Sequence, residues 1–310
     1  MPTISTTDSH RFVIIGGREK CGTSSLYAYL RALRVFTPSK RKETNYFFSE
    51  APTFNGYLEE FETPDSPAHS FLEASPAYLT CSDVAEPRIR AILPNVRMIF
   101  LLRNPVERFL SSFHFNKSKY LLPEDLTLED YVDECVTFYE DGRPQDVERR
   151  WYKDVLGAGL YAERLQPYLE HSAPDDLLVL DFHDVANHPE RVIDLVCQRE
   201  GIKGYDLNKI DFRTRNATFY AKRKPLHRLA MGINSRFETF WHTHPKLKGM
   251  LLRVYQGVNA TPQQGREIPE ELRSRITDFY QDDQERLERL NIITRLTPIE
   301  NPQPEKASQP

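Results

Sequence analysis

The chain has little cysteine: four residues among 310. Cys21, Cys81, Cys135 and Cys197 are widely spread and form no CxxC pair. That spacing argues against a structural zinc site and suits a compartment where thiols stay reduced. No run of 18 or more apolar residues occurs, so no membrane span is expected. The first ten residues lack the cationic start and apolar stretch of a secretory signal. A cytoplasmic chain, or a soluble piece of an anchored one, is therefore expected. An excess of positive charge is missing too. The formal net charge is −4, which leaves no basic footprint for a nucleic acid polymer. Any bound anion must be held by local clusters of Lys, Arg and backbone N–H groups.

What is present is the make-up of a globular protein, with 39% apolar and 28% charged residues. Residues 1–10 read as a disordered lead, 11–296 as a single domain, and 297–310 as a disordered tail. Phe12–Ile15 is a short apolar run closed by Gly16-Gly17, as for a buried parallel strand followed by a turn. Thr23–Leu33 has helical spacing of Leu26, Tyr29, Leu30 and Leu33. Val96–Leu102 and Leu177–Asp181 read as further buried strands. Helices are expected after Asn104, around 128–139, over 160–170 and 189–200, and over 269–290. Residues 50–70 read as a loop, 116–150 outside the one helix as irregular, and 212–228 as a basic loop. Strands alternating with helices predict an α/β fold, a parallel sheet with helices on both faces. Ligands of such sheets bind at the carboxyl ends of the strands.

Two segments stand at such ends. The first is Gly16-Gly17-Arg18-Glu19-Lys20-Cys21-Gly22-Thr23-Ser24-Ser25. A helix start offers N–H groups and the positive end of a dipole to an anion. Gly22 permits close approach, and Thr23, Ser24 and Ser25 add hydroxyl donors. Gly17 and Gly22 have the spacing of a nucleoside triphosphatase loop, but Thr23 stands where that motif needs Lys. The lysine lies inside the loop, at Lys20. Taken alone, the stretch also suits an ordinary glycine turn. The second segment is Arg103-Asn104-Pro105-Val106-Glu107-Arg108-Phe109-Leu110-Ser111. Arg103 and Ser111, about two helical turns apart, can converge on one phosphate. A plain strand-to-helix corner would read the same way.

Together the two segments resemble the PAPS-dependent sulfotransferases (PAPS is 3′-phosphoadenosine 5′-phosphosulfate). Lys20-Cys21-Gly22-Thr23-Ser24-Ser25-Leu26 is similar to that family's 5′-phosphosulfate loop, Lys-x-Gly-Thr-Thr/Ser-x-Leu. Arg103 to Ser111 is similar to its 3′-phosphate motif, Arg-Asp/Asn-Pro-x-x-Arg-x-x-Ser. Gly159-Leu160-Tyr161 with Leu165 and Tyr168 resembles its Gly-x-Tyr helix. The likeness is strongest to the carbohydrate branch, which includes heparan sulfate enzymes and bacterial relatives, and runs over residues 11–295.

The resemblance implies a P-loop-like fold, PAPS as donor without a required metal, PAP as product, and a carbohydrate or glycolipid as acceptor. Donor binding would fall to Arg18, Lys20, Cys21, Gly22, Thr23, Ser24, Ser25, Arg103, Ser111 and Arg223. Arg223 belongs to a basic stretch that also holds Arg213, Arg215, Lys222 and Lys224. Lys20 would stabilise the leaving phosphate. Glu43, in Lys42-Glu43-Thr44-Asn45-Tyr46-Phe47, would be the general base, with Lys42 near the sulfuryl group or the acceptor. Glu73-Ala74-Ser75-Pro76-Ala77-Tyr78 resembles Glu-Lys-Ser/Thr-Pro-x-Tyr, and makes Glu73 and Ser75 candidates on the acceptor side. Glu73 reads as a second carboxylate of the cleft or as a helix cap. Ala74 replaces the lysine of the heparan sulfate enzymes, which argues against an acceptor of heparan type. His242 and His244 have no further ligands near them in sequence, so packing or surface roles are expected. A P-loop kinase, a non-catalytic nucleotide binder and a sulfotransferase acting on a lipid or small-molecule hydroxyl are the rival readings. The kinase reading fails on the absent lysine after Gly22 and on the lack of a clear strand-end Asp for Mg2+.

Overall fold

The structure is a computed structural model. It describes residues 10–63, 70–141, 154–212, 219–221, 236, 250–251, 260–262 and 268–296. The expected lead and tail, residues 1–9 and 297–310, lie outside the described residues. So do Arg213, Arg215, Lys222, Arg223, Lys224, His242 and His244.

The strands are β1 (Phe12–Gly17), β2 (Phe36–Pro38), β3 (Ser70–Ala74), β4 (Val96–Leu102), β5 (Leu177–Asp181), β6 (Phe219–Ala221), β7 (Ala260–Pro262) and β8 (Ile293–Thr294). The helices are α1 (Thr23–Ala32), α2 (Phe54–Leu58), α3 (Ala77–Thr80), α4 (Ser82–Ile92), α5 (Pro105–Ser118), α6 (Leu128–Glu140), α7 (Tyr161–His171), α8 (Phe182–Asn187), α9 (Pro189–Arg199) and α10 (Glu270–Leu290). The chain divides into two compact units. One comprises Met1–Arg108, Leu156–Arg215 and Asp278–Pro310; the other Phe109–Val155 and Asn216–Thr277.

The first unit holds a six-stranded sheet in the order β2-β3-β1-β4-β5-β8, with every pairing parallel. All six residues of β1 are buried, which is why its sequence is an unbroken apolar run rather than an alternating one. Its side chains divide between two cores. Val13 and Ile15 pack with Leu26 and Leu30 of α1 and with Ile193 and Val196 of α9. Phe12 and Ile14 pack with Ile89 of α4 and with Leu165 and Tyr168 of α7. Helices thus cover both faces, as the alternation of elements predicts.

Two tertiary clamps fix α7. Asp283 accepts from the N–H groups of Ala162 and Glu163, at 3.1 and 3.3 Å, satisfying the helix start. Tyr280 lies so close to Gly159 that a Cβ there would fall 2.7 Å from its ring. The Tyr280 hydroxyl donates to the Leu156 carbonyl at 2.8 Å. Gly159 in the Gly-x-Tyr sequence therefore marks the place where a tyrosine docks on backbone.

In the second unit, Phe109 and Phe113 pack on Tyr131 of α6, with ring centroids 5.5 and 5.2 Å apart. Thr127 and Asp130 form a capping box at the start of α6. Arg275 pairs with Asp133 at 2.6 Å. β6 and β7 form an antiparallel pair.

Three expectations need correction. Residues 50–70 contain α2, because the Thr53 side chain caps Gly56 N at 3.1 Å and Tyr57 is buried among Phe12, Phe47 and Phe61. Residues 219–221, expected in a loop, form β6; its partner β7 is remote in sequence, and local composition carries no trace of it. α5 runs on to Ser118, three residues into the stretch read as irregular. Among the described residues, no helix is long and apolar enough to cross a membrane.

Leu101 is fully buried at the middle of the sheet. Leu101→Ala should lower unfolding free energy by about 2–5 kcal/mol, read by urea denaturation. Leu121→Ala, at a side chain that is 43% exposed, should change it by less than about 0.5 kcal/mol.

Candidate active site

The loop between β1 and α1 is shaped by two left-handed residues, Lys20 at φ 70° and Gly22 at φ 88°. Ser25 N and Leu26 N donate to the Gly22 carbonyl at 3.0 and 3.2 Å, which starts α1. The N–H groups of a first turn have no partner within their own helix and sit at the positive end of its dipole. Gly22 is also spatially confined, since a Cβ there would fall 2.9 Å from the Phe182 ring. Both its φ and its packing require glycine. Ser24 is half-buried, while Thr23 and Ser25 are buried.

Two loop side chains point into the protein. Arg18 is 7% exposed, and its guanidinium donates to the Thr80 hydroxyl at the end of α3. The Cys21 Sγ lies in the core, 3.7 Å from the Tyr161 hydroxyl. Burial pushes this thiol up, against the opposing pull of Arg108, the Tyr161 hydrogen bond, the Arg18 backbone and Arg103. What Cys21 offers an anion in the loop is its backbone. Arg18 acts as a brace between loop and α3.

Arg103 stands just past the end of β4. Its Nη1 donates to the Lys20 carbonyl at 3.2 Å, and its guanidinium lies 4.8 Å over the Phe182 ring, within cation–π range. One aromatic ring, at the first position of α8, thus supports both Gly22 and Arg103. Ser111 is half-buried on α5 and belongs to the second unit.

The segment after β2 brings the acceptor-side candidates to the same loop. The Lys42 ammonium donates to the Ser24 hydroxyl at 3.0 Å and pairs with the Glu43 carboxylate at 2.6 Å. The side chains of Lys42 and Glu43 are 26% and 46% exposed. Lys42, Glu43 and Ser24 therefore form one connected group.

Glu73 and Ser75 are placed differently from the sequence reading. Both are fully buried, so Glu73 does not line an open cleft, and α3 has no side-chain cap. Glu73 instead accepts hydrogen bonds from Thr44, Tyr57 and Ser75. Its strand position explains this: Glu73 lies in register with Ile14 of β1, deep in the sheet. Ala74 is fully buried as well.

Several residues of this group are not marked in the sequence. Phe182 has no motif and is found only by its packing. Thr80 and Tyr57 serve as remote partners of Arg18 and Glu73. The one usable signal was Thr44, which sits between motif residues but is a common residue in loops.

The bifunctional heparan sulfate N-deacetylase/N-sulfotransferase 1 of Homo sapiens is 26% identical over 216 residues, covering 67% of this chain and 23% of that protein. The membrane-associated sulfotransferase kil1 of Dictyostelium discoideum is 32% identical over 166 residues, covering 48% of this chain and 34% of that protein. The chain thus spans about a quarter to a third of the length of these curated relatives. The crystal structure of a sulfotransferase from Alicyclobacillus acidocaldarius superposes with a TM-score of 0.61 at 20% identity, covering 92% of this chain and 97% of that one; it shares the fold. The family model of the sulfotransferase domain matches residues 10–220, a span that takes in the whole loop, Lys42 and Glu43, and Arg103, and the chain belongs to the sulfotransferase domain family.

Proposed function

We propose that residues 11–296 form a PAPS-dependent sulfotransferase domain that sulfates a hydroxyl or amine, with a carbohydrate as the acceptor class. The observation that carries this reading is the Lys42 bridge. A single ammonium connects Ser24 of the anion loop, at 3.0 Å, with the Glu43 carboxylate, at 2.6 Å. A donor seated in the loop and a base for the acceptor would then be neighbours, as in-line transfer requires.

The residues present suit PAPS. The start of α1 supplies N–H donors, and Lys20, Lys42 and Arg103 supply positive charge. PAPS brings an activated sulfuryl group whose leaving group is a phosphate. The loop N–H groups and the hydroxyls of Thr23, Ser24 and Ser25 hold the 5′-phosphate. Arg103, preset by Phe182 and the Lys20 carbonyl, holds the 3′-phosphate. Glu43 takes the proton of the acceptor as the new bond to sulfur forms. Lys20 stabilises the charge that returns to the phosphate oxygen as the old sulfur–oxygen bond breaks. Lys42, released from Glu43 by the bound donor, neutralises the sulfuryl oxygens.

A carbohydrate acceptor is supported by the human relative, which is named for heparan sulfate. Ala74 narrows the choice. The family's lysine is absent there, and the position is buried in the core beside Leu72 and Leu101. Arg41 and Arg31 are paired with Glu60 and Glu62. These features favour an acceptor with less negative charge than heparan sulfate.

Lys20→Ala should reduce kcat for PAP release from PAPS by about 10²–10³-fold with an unchanged circular dichroism spectrum; wild-type turnover would remove Lys20 from the leaving-group role. Arg103→Ala should weaken binding of the product PAP by about tenfold to a hundredfold, measured by calorimetry. Unaltered PAP affinity would place the 3′-phosphate elsewhere.

A further inference from the structure

Lys42 and Glu43 stand on an irregular segment between β2 and the short 3-10 turn Tyr46–Phe48. Reacting groups must be held to within about an ångström, since a misplacement of that size costs about a hundredfold in rate. Here the backbone of the segment is tied to β3 and the residue that follows it. The Lys42 carbonyl accepts from Ala74 N at 3.0 Å. Thr44 donates twice to Glu73 Oε2, from its N–H at 3.4 Å and from its hydroxyl at 2.5 Å. Asn45 N donates to the Ser75 hydroxyl at 3.1 Å, and that hydroxyl donates to the same Glu73 oxygen at 3.1 Å. The Tyr57 hydroxyl donates to the other oxygen, Oε1, at 2.9 Å. Asn45 turns the chain in the left-handed region at φ 51°.

Glu73 has no exposed surface. The Thr44 N–H can only donate, and the hydroxyls of Thr44, Tyr57 and Ser75 are also placed to donate to Glu73. Burial pushes its pKa up, while Thr44, Tyr57 and Ser75 pull it back. A buried carboxyl is a poor device for stability alone, because an apolar side chain of similar size often serves as well or better. Its use here is directional: two of its donors lie on the residue next to Glu43, and a third fixes Asn45 through Ser75.

We infer that Glu73 is a positioning residue for sulfuryl transfer, holding the backbone of Thr44 and Asn45 so that Glu43 and Lys42 face the anion loop at Ser24. The inference rests on the proposed role of Glu43 as base.

The test compares four variants with wild type. Glu73→Gln keeps the shape but places an amide donor among donors. Thr44→Val removes the hydroxyl at nearly constant volume, and Thr44→Ser keeps it. Glu43→Gln removes the base. The reaction is PAP release from PAPS, with water and with an unsulfated glucosamine-containing oligosaccharide as acceptors, at a temperature where circular dichroism shows each variant folded. Thr44→Val and Glu73→Gln should lose about ten- to a hundredfold in kcat, with KM for PAPS and PAP affinity within about twofold of wild type. Thr44→Ser should retain wild-type kcat. A structural role alone would lower the melting temperature and leave this split between kcat and KM unseen. If Glu73→Gln does not fold, the Thr44 pair decides. Wild-type kcat in Thr44→Val, beside an inactive Glu43→Gln, would overturn the positioning role and leave the base in place. An active Glu43→Gln would overturn both.

Discussion

The site depends on one constraint, the parallel pairing of β1 with β3 on one side and β4 on the other. Three segments leave the carboxyl ends of these strands. β1 runs into the loop of Lys20 and Gly22, β4 ends before Arg103, and β3 carries Glu73 and leads into Ser75, which hold the backbone beside Glu43. Because the strands are parallel and in fixed register, all three segments leave the sheet on one edge. This is how an open α/β sheet makes a binding crevice. A slip of β3 by one residue would turn Glu73 to the other face of the sheet and release Thr44.

The cations of the site are oriented in advance. Arg103 is already oriented by two contacts, the Lys20 carbonyl at 3.2 Å and the Phe182 ring at 4.8 Å. Lys42 is held by Ser24 and Glu43. Cations fixed before an anion arrives need little reorganisation when charge develops in the transition state.

Much of this was legible in the sequence, for identifiable reasons. Strands buried on both faces leave unbroken apolar runs, so β1, β4 and β5 could be read directly. The anion loop combines glycine, hydroxyl residues and a lysine between a strand and a helix, a local pattern within ten residues. What remained hidden was tertiary. Phe182 supports Gly22 and Arg103 from a distant helix start. Glu73 meets Thr44 across 29 residues, and nothing local distinguishes a buried acceptor of hydrogen bonds from an exposed carboxylate. Arg18 and Cys21 occupy the loop, yet one braces Thr80 and the other lies in the core. A loop sequence fixes where the backbone goes more firmly than where each side chain points. α2 was hidden in a polar stretch because Tyr57, its buried anchor, gains its partners only in the folded sheet.

The proposed donor site suits a nucleotide that carries both a 3′-phosphate and a 5′-phosphate. The most direct measurement is calorimetric titration of the protein with PAP, beside AMP and beside ATP with Mg2+. PAP should bind tightly and AMP more weakly by at least about tenfold, the worth of one charged hydrogen bond. Preference for ATP with Mg2+, or equal binding of PAP and AMP, would contradict it.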